Sequence, residues 1–303
     1  MRNNVRINSK YRKEKIRRSR GERVVFTIFF IIFSLYSASI LYMLFWLITN
    51  SFKPFVEYNL DLVNGNAFKL PKTWRFQNYI DVYKMIRTPG GITLVDMIWN
   101  NIWQFLLPLP LSVLLGTWYP YVISRFKFRG RNIIYAVIMF RMIIPIVGTG
   151  GAWFKLYQDL GLYNNPLFFI VGSLGSGGTT FLLYYGFFKN LPMSYAEAVY
   201  IDGGGEFTVF FKIMLPQAIP MITVLLVNAF IASWNDAMTS LLYMPSYLTI
   251  SAGMYSVQNT LLRTGKTSIY YAGLVTAMIP MLLVFLVFSN KMMTSLSVGG
   301  LKG

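Results

Sequence analysis

The side chains that most often perform enzymatic chemistry are absent or scattered in this sequence. It contains no His and no Cys, and its 11 Asp and Glu residues are spread along 303 positions. A Ser-His-Asp triad, an imidazole or thiolate metal site and a cysteine nucleophile are therefore excluded. Gly265-Lys266-Thr267 ends like a phosphate-binding loop, but that motif requires glycine at the position of Thr260. We expect neither an enzyme nor an ATP site in this chain.

The most informative spacing lies in a polar segment at residues 189–215. Ser194 and Glu197 form an S-x-x-E pattern, which predicts a capping box and a helix that starts at Ser194. A run of three glycines that begins at Gly203 predicts the end of that helix and a sharp turn. A second helix is expected from Glu206, with Pro216 near the entry into the next apolar run. An ordinary connector between two helices has the same features, so the local pattern leaves both interpretations open.

Two charged residues, Arg141 and Asp236, lie within or at the edge of long apolar stretches. A central Arg costs about 2.5–3.5 kcal/mol on insertion scales, so we expect it to face protein or water. One interpretation is structural, either an ion pair between Arg141 and Asp236 or a place for Arg141 near the cytoplasmic end. The other is a substrate pathway that combines these charges with Trp234 and Asn235.

Aromatic side chains near the predicted outer ends of the apolar runs also allow two interpretations. They either grip a sugar through their ring faces or form the interfacial belt that membrane proteins commonly have. These residues are Trp153, Tyr157, Trp234, Tyr243, Tyr247 and Tyr255. The segment 243–269 contains no acid, and we expect its Tyr255, Arg263 and Lys266 to face an extracellular partner.

The elements that position these residues follow from the composition. Hydrophobic residues make up 55% of the chain, charged residues 13%, and the net charge is +17. Because a spanning helix needs about 20 mostly apolar residues, we predict an all-α, multi-pass membrane protein. A basic tail at 1–23 precedes a membrane domain at 24–303. Its six expected spans are residues 24–49, 97–124, 132–154, 166–188, 216–242 and 268–290.

The distribution of basic residues predicts the orientation in the membrane. With both termini in the cytoplasm, the inner segments carry 18 Lys and Arg and the longer outer segments carry 9. The basic tail has the composition of a nucleic-acid arm, but beside a first span it is better explained as a topology determinant that attracts anionic lipid. The first apolar run continues well beyond Ser39, so we interpret it as a retained helix and not as a signal peptide.

The segment 189–215 resembles the EAA loop of binding-protein-dependent ABC importer permeases. That loop has the pattern Glu-Ala-Ala, three residues, Gly, nine residues, Ile, one residue, Leu-Pro. This chain has Glu197-Ala198, Gly203, Ile213 and Leu215-Pro216 at that spacing, and it departs only at Val199. Asp202-Gly203 is similar to the carbohydrate subgroup. Further stretches resemble the MalG-like branch, and within it the LplC/YtcP-type polysaccharide permeases: Ser51–Lys53, Leu70–Tyr79, Ile123–Arg131, Ser233–Asp236 and Val298–Gly303.

The resemblance implies a type I ABC importer permease of the MetI-like fold in a bacterial cell membrane. It implies that Glu197, Ala198 and Gly203, supported by Ser194 and Asp202, couple the chain to an ATPase. The implied protein partners are a second related permease, two ATPase subunits and an extracellular solute-binding lipoprotein. The implied substrate is a carbohydrate, and we expect an oligosaccharide. Membrane lipids are also expected as partners, whereas nucleic acid is not. ATP and Mg belong to the partner ATPase, and no cofactor is expected on this chain. The alternatives are an importer for a polyamine or phosphonate and, from a different class, a channel or membrane enzyme.

Overall fold

A computed structural model describes residues 19–66, 68–144, 148–175 and 177–300, with side chains described up to Asn290. Most of the predicted basic tail, residues 1–18, therefore lies outside the described residues, as do the last three residues of the resembling C-terminal stretch. The regular elements in the described ranges are helices. They are α1 (Arg20–Ser51), α2 (Phe55–Val63), α3 (Gln77–Met85), α4 (Leu94–Leu106), α5 (Leu109–Arg125), α6 (Arg131–Ile143), α7 (Gly150–Asp159), α8 (Leu167–Ser173), α9 (Thr179–Asn190), α10 (Ser194–Ile201), α11 (Glu206–Thr208), a π-helical segment (Val209–Met214), α12 (Leu215–Asn235), α13 (Met238–Tyr243), α14 (Ile250–Arg263) and α15 (Thr267–Gly300).

Four helical stretches among the described residues are long and apolar enough to cross a membrane. They are Arg20–Ser51, Leu94–Arg125, Glu206–Asn235 and Thr267–Asn290. These four overlap the predicted first, second, fifth and sixth spans. The second is made of α4 and α5, which meet at Pro108, a residue that has no backbone N–H to continue the α-helical ladder.

The apolar runs predicted as the third and fourth spans are each divided between two shorter helices. Residues 132–154 fall on α6 and the start of α7, with residues 145–147 outside the described part. Residues 166–188 fall on α8 and α9, and α9 starts after Gly178, whose φ of 79° is disfavoured for other residues. The 13 residues of α6 rise only about 20 Å. Six continuous spanning helices are therefore not found in the described residues.

The run predicted as the fifth span, 216–242, is divided between α12 and α13. α12 ends at Asn235, and α13 begins only at Met238. The carboxylate of Asp236 accepts the backbone N–H of Thr239 at 3.1 Å, so this acid supports the start of α13. Asp236 thus occupies the C-cap position of α12 and bonds to the first turn of α13.

The described residues up to Thr49 form one compact unit, and the described residues from Asn50 onward form another. In the first unit, Ser19 and Glu22 form a reciprocal capping box at the start of α1. The Ser19 N–H donates to the Glu22 carboxylate at 2.8 Å, and the Glu22 N–H donates to the Ser19 hydroxyl at 3.2 Å. This pair satisfies two N–H groups that a helix start leaves without intrahelical partners.

One core of the second unit joins the short helices α3 and α14 to α4, α12 and α15. Its buried residues are Val82, Ile86, Leu94, Met97, Trp234, Ile250, Met254, Val257, Leu261, Ile269, Tyr270 and Ala272. Packing is close where α14 crosses α4, because a Cβ atom on Gly253 would clash with the Met97 side chain. These contacts make the segments between the spans part of the folded protein.

The Ser51–Lys53 and Leu70–Tyr79 stretches, which were recognised separately in the sequence, contact each other. The Asn78 amide donates to the carbonyls of Ser51 and Lys53 at 2.7 and 2.9 Å. Lys53 is fully buried, and its ammonium lies 2.9 Å from the Asp61 carboxylate. A buried charge requires such a partner, so this network fixes the chain between α1 and α3.

Candidate functional site

The helix predicted at the start of the 189–215 segment begins where the sequence indicates, but its cap is different. α10 begins at Ser194, and Met193 occupies the cap position without a side-chain hydrogen bond. The Glu197 N–H, which a capping box would direct to Ser194, donates to the Met193 carbonyl at 3.1 Å. The predicted capping box is therefore wrong, because Met193 already has helical φ and ψ and places Ser194 inside the first turn.

The end of α10 is a Schellman motif, as the glycine run predicts. The Gly203 N–H donates to the Tyr200 carbonyl at 3.0 Å, and the Gly204 N–H donates to the Val199 carbonyl at 2.8 Å. Gly203 has a φ of 79°, which costs other L-residues energy, whereas the space around its Cα is open. At Gly204 the restriction is steric, because a Cβ there would lie 2.5 Å from a Val199 methyl group.

The chain returns toward α12 through an irregular helical segment. α11 is a single short turn, and Val209–Met214 then adopts a π-helix in which the Leu215 N–H donates to the Phe210 carbonyl. Pro216 follows within the first turn of α12 and has no N–H to donate. A wider turn before this proline accommodates the missing hydrogen bond, and such turns recur at functional sites.

One side of α10 is packed against a largely aromatic core. Ala196 is only 2% exposed and clusters with Tyr121 of α5, Phe188 of α9 and Phe210 of the π-helical segment. The rings of Trp118 and Phe210 lie 4.7 Å apart in an edge-to-face arrangement. The small side chain of Ala196 allows this close approach, so α10 is connected to three neighbouring helical elements.

A basic residue that the sequence analysis did not single out holds the start of this segment. The Arg125 guanidinium, at the end of α5, donates to the Leu191 carbonyl at 2.6 Å and lies 3.6 Å from the Met193 sulfur. The Ile123–Arg131 stretch resembles the permease family, but nothing in the sequence pairs Arg125 with a residue 66 positions later. This contact joins the end of α5 to the beginning of α10.

A second contact spans the glycine turn itself. The hydroxyl of Tyr200 bonds to the Glu206 carboxylate, and burial followed by this hydrogen bond raises the pKa of Tyr200 to about 12. Tyr200 therefore stays protonated at neutral pH and remains a donor to Glu206. The turn between α10 and α11 is thus held from both sides.

The five residues predicted to couple the chain to a partner lie on the exposed side of α10 and in the turn after it. Ser194, Glu197, Ala198, Asp202 and Gly203 are exposed. Large apolar side chains are exposed beside them: Tyr195 is 46% exposed, Ile201 86% and Phe207 68%. α10 therefore has one packed side and one exposed, partly apolar side.

The residues predicted for a substrate pathway do not form one cluster. Arg141 is exposed in the last turn of α6, with its guanidinium near Gly177, and it makes no ion pair with Asp236. Trp234 is 4% exposed, and its indole N–H donates to the Ala277 carbonyl at 3.0 Å. Asn235 is exposed and donates to the Ile231 carbonyl of its own helix at 2.8 Å. Trp234 thus has a packing role, and the predicted alternative of an Arg141–Asp236 pair is wrong.

The three residues predicted to face an extracellular partner lie on or just after α14. Tyr255 is 57% exposed, Arg263 is exposed in the last turn, and Lys266 is partly buried. The Gly265-Lys266-Thr267 sequence lies at a second helix end that is capped by glycine, the end of α14. The N–H groups of Gly265 and Lys266 donate to the carbonyls of Leu262 and Leu261, at 3.2 and 2.9 Å.

Among the other predicted aromatic residues, Tyr157 and Tyr243 pack together in a small cluster. Their ring centroids are 5.4 Å apart, and Phe168 lies 4.8 Å from Tyr157. No group of three His, Cys, Asp or Glu residues that could hold a metal occurs in the described ranges.

Several long apolar helices, together with folded helical segments between them, define a multi-pass membrane protein. The chain belongs to the family of binding-protein-dependent transport system inner membrane components, which matches residues 123–297. It is therefore a permease subunit of a transport system and not an enzyme, and the resemblance seen in the sequence is confirmed.

Curated relatives cover most of the chain. The diacetylchitobiose uptake system permease protein NgcG of Streptomyces coelicolor is 28% identical over 88% of this chain and 85% of that protein. The arabinooligosaccharides transport system permease protein AraQ of Bacillus subtilis is 27% identical over 93% of this chain and 96% of that protein. The crystal structure of a bacterial ABC transporter involved in the import of the acidic polysaccharide alginate matches with a TM-score of 0.72. That match covers 90% of this chain and 98% of the other at 19% identity, so it shows the fold alone.

Proposed function

We propose that this chain forms half of the membrane pathway of an ATP-driven carbohydrate importer and that α10 docks into its ATPase. The observation that carries the coupling role is the contrast between the two sides of α10. Ala196 is 2% exposed on the packed side, whereas Ile201 is 86% exposed on the opposite side. An exposed Ile on a helix whose opposite side is packed fits a surface completed by another protein.

The attachment of α10 supports its use as a mechanical element. Its start is bonded to α5 through Arg125, and its end is fixed by the Gly203 turn. The π-helical segment then continues directly into α12, one of the long apolar helices. A displacement of α10 by a closing ATPase would therefore move α5 and α12 with it as a rigid-body switch.

The proposed assembly follows the implied family architecture. A second, related permease completes the pathway, two ATPase subunits bind ATP and Mg, and an extracellular lipoprotein delivers the solute. We place both termini in the cytoplasm and propose that residues 132–154 and 166–188 also cross the membrane, which makes six spans. The excess of basic residues in the proposed inner segments supports this orientation.

The cargo that we propose is an oligosaccharide. The relatives NgcG and AraQ are permeases for diacetylchitobiose and arabinooligosaccharides by their names, and they align over most of this chain. An importer for a polyamine or phosphonate is the second candidate, because type I permeases share one coupling loop. The bulk charge of +17 does not favour an anionic cargo, because 18 of the 28 basic residues lie in the proposed inner segments.

The test uses the whole complex in proteoliposomes. ATP hydrolysis is measured with binding protein that has been offered neutral oligosaccharides, acidic oligosaccharides, a polyamine or a phosphonate. We expect stimulation by oligosaccharides only. Stimulation by the polyamine or phosphonate alone would mean that this compound, and not an oligosaccharide, is the cargo. Failure of the chain to co-purify with an ATPase would contradict the coupling role.

A further inference from the structure

Four basic side chains lie between the end of α5 and the start of α6 and at the end of α9. Lys127, Arg129 and Arg131 line an open cleft of about 520 Å³ formed by residues 127–133. Tyr185 of α9 connects them to a fourth charge. Its hydroxyl lies 3.5 Å from the Arg131 guanidinium, and the Lys189 ammonium lies 5.6 Å from the centre of its ring. Two segments that are distant in the sequence thus contribute to one basic cluster.

The charges of this basic cluster are not neutralised within the described part of the chain. The sequence contains no acid between Asp96 and Asp159. The ion pairs among the described residues involve other side chains, at α2 and α3. Lys127 and Arg129 are exposed and have neither a hydrogen bond nor an ion pair to the residues described. The cluster therefore fits an anionic partner that comes from outside the chain.

Exposed apolar side chains border the same cleft. Phe128 is 40% exposed and Ile133 is 69% exposed, and both line it. Along α6, Val137 at 61% and Phe140 at 66% continue from Ile133 with spacings of four and three residues, so the three share one helix face. An inorganic phosphate matches the charges alone, and so does an acidic protein segment. A phospholipid matches both the charges and the apolar line.

We propose that this cleft binds the headgroup of an anionic phospholipid, with an acyl chain along Ile133, Val137 and Phe140. Basic pockets beside membrane helices on the cytoplasmic side have this chemistry. The site includes no residue of α10 and goes beyond the transport function. It rests on the proposed orientation, in which residues 125–131 face the cytoplasm.

The test is native mass spectrometry of the full-length chain in detergent, titrated with dioleoyl phosphatidylglycerol or dioleoyl phosphatidylcholine. We expect selective retention of phosphatidylglycerol. Each basic group near an anionic surface contributes about 1 kcal/mol, a factor of about five. The combined Lys127→Gln, Arg129→Gln and Arg131→Gln variant should therefore bind phosphatidylglycerol about 100-fold more weakly. The Lys127→Gln and Arg129→Gln double variant, which removes no internal contact, should lose about 30-fold and serves if the triple variant does not fold.

The matched control neutralises three exposed lysines elsewhere, Lys69→Gln, Lys84→Gln and Lys155→Gln, with the same change in net charge. It should keep the wild-type affinity. The proposal is overturned if the control and the cleft variants lose equally, if phosphatidylcholine binds equally well, or if glycerol 3-phosphate displaces the lipid at equal concentration. Because this assay needs neither ATPase nor binding protein, its result is independent of the proposed coupling and cargo.

Discussion

Substitutions at Gly203 separate the backbone requirement of the α10 turn from side-chain effects. A Cβ at this position meets no atom within 4 Å, so the cost of a new side chain comes from the φ of 79°. That conformation costs an L-residue about 1–2 kcal/mol, less for Asn, which tolerates it better. Proline costs more, because its φ is fixed near −65° and it removes the N–H that bonds to the Tyr200 carbonyl.

The predicted order of damage is therefore Gly203→Asn, then Gly203→Ala, then Gly203→Pro. The assay is the ratio of ATP hydrolysis with loaded binding protein to hydrolysis without it, in the reconstituted complex. A shift of 1–2 kcal/mol corresponds to a factor of about 5–30, which sets the upper limit for the alanine variant. The proline variant should be uncoupled but still folded, as judged by a cooperative thermal transition of the membrane domain. If Gly203→Pro retains normal stimulation, or Gly203→Asn is worse than Gly203→Ala, the reasoning about this turn is refuted.

Three further predictions concern contacts around the site and the fold. Gly204→Ala should weaken stimulation through a clash with Val199, and adding Val199→Ala should restore most of it, as the same ATP hydrolysis ratio will show; no rescue contradicts the steric explanation. Arg125→Gln should lower that ratio about tenfold or more, because a hydrogen bond from a charged donor contributes about 1.5–3 kcal/mol. The ratio of Arg125→Lys should lie between those of the wild type and Arg125→Gln. Equal ratios for the wild type and both variants would mean that this contact does not position α10. Lys53→Met should lower the free energy of unfolding by about 3 kcal/mol, because it leaves the carboxylate of Asp61 without its partner. Adding Asp61→Asn to this variant should recover most of that loss, as thermal unfolding will show. Additive losses from the two substitutions would contradict the buried pair.

Helix starts show how far a sequence pattern can predict local structure. The S-x-x-E pattern occurs at Ser19–Glu22 and again at Ser194–Glu197, and only the first forms a capping box. At the second, the helical conformation of Met193 gives the Glu197 N–H a backbone acceptor. The helix boundary at Ser194 was predictable, but the competing acceptor was not, because it depends on the conformation of the preceding residue.

Hydrophobic runs predicted where the chain is apolar, but not where a helix is continuous. Residues 166–188 carry no charge, yet α8 ends at Ser173 and α9 begins only after Gly178. Hydropathy does not register the change of backbone direction that such a glycine permits. Likewise, Asp236 was recognised as a charge at membrane depth, but its hydrogen bond to Thr239 depends on the turn that follows α12.

The exposed residues of the site were predicted from the sequence, but the contacts that hold α10 in place were not. Spacing identified Glu197, Ala198 and Gly203, because local turn chemistry and the family pattern both place constraints there. Arg125 was missed because its acceptor lies on a distant segment. The departure from the family pattern at Val199 also has a structural counterpart, since this side chain fills the space beside Gly204.

The most direct test of the account is disulfide cross-linking between α10 and the ATPase. The chain contains no cysteine, so a single introduced thiol has no background. Ala198→Cys lies on the exposed side of α10, Ala196→Cys lies on the packed side at 2% exposure, and Thr264→Cys lies at the far end of α14. With a cysteine placed in the docking cleft of the ATPase subunit, we predict a cross-link from position 198 and none from 196 or 264. The absence of a cross-link at 198, or an equal one at 264, would contradict the coupling role of α10.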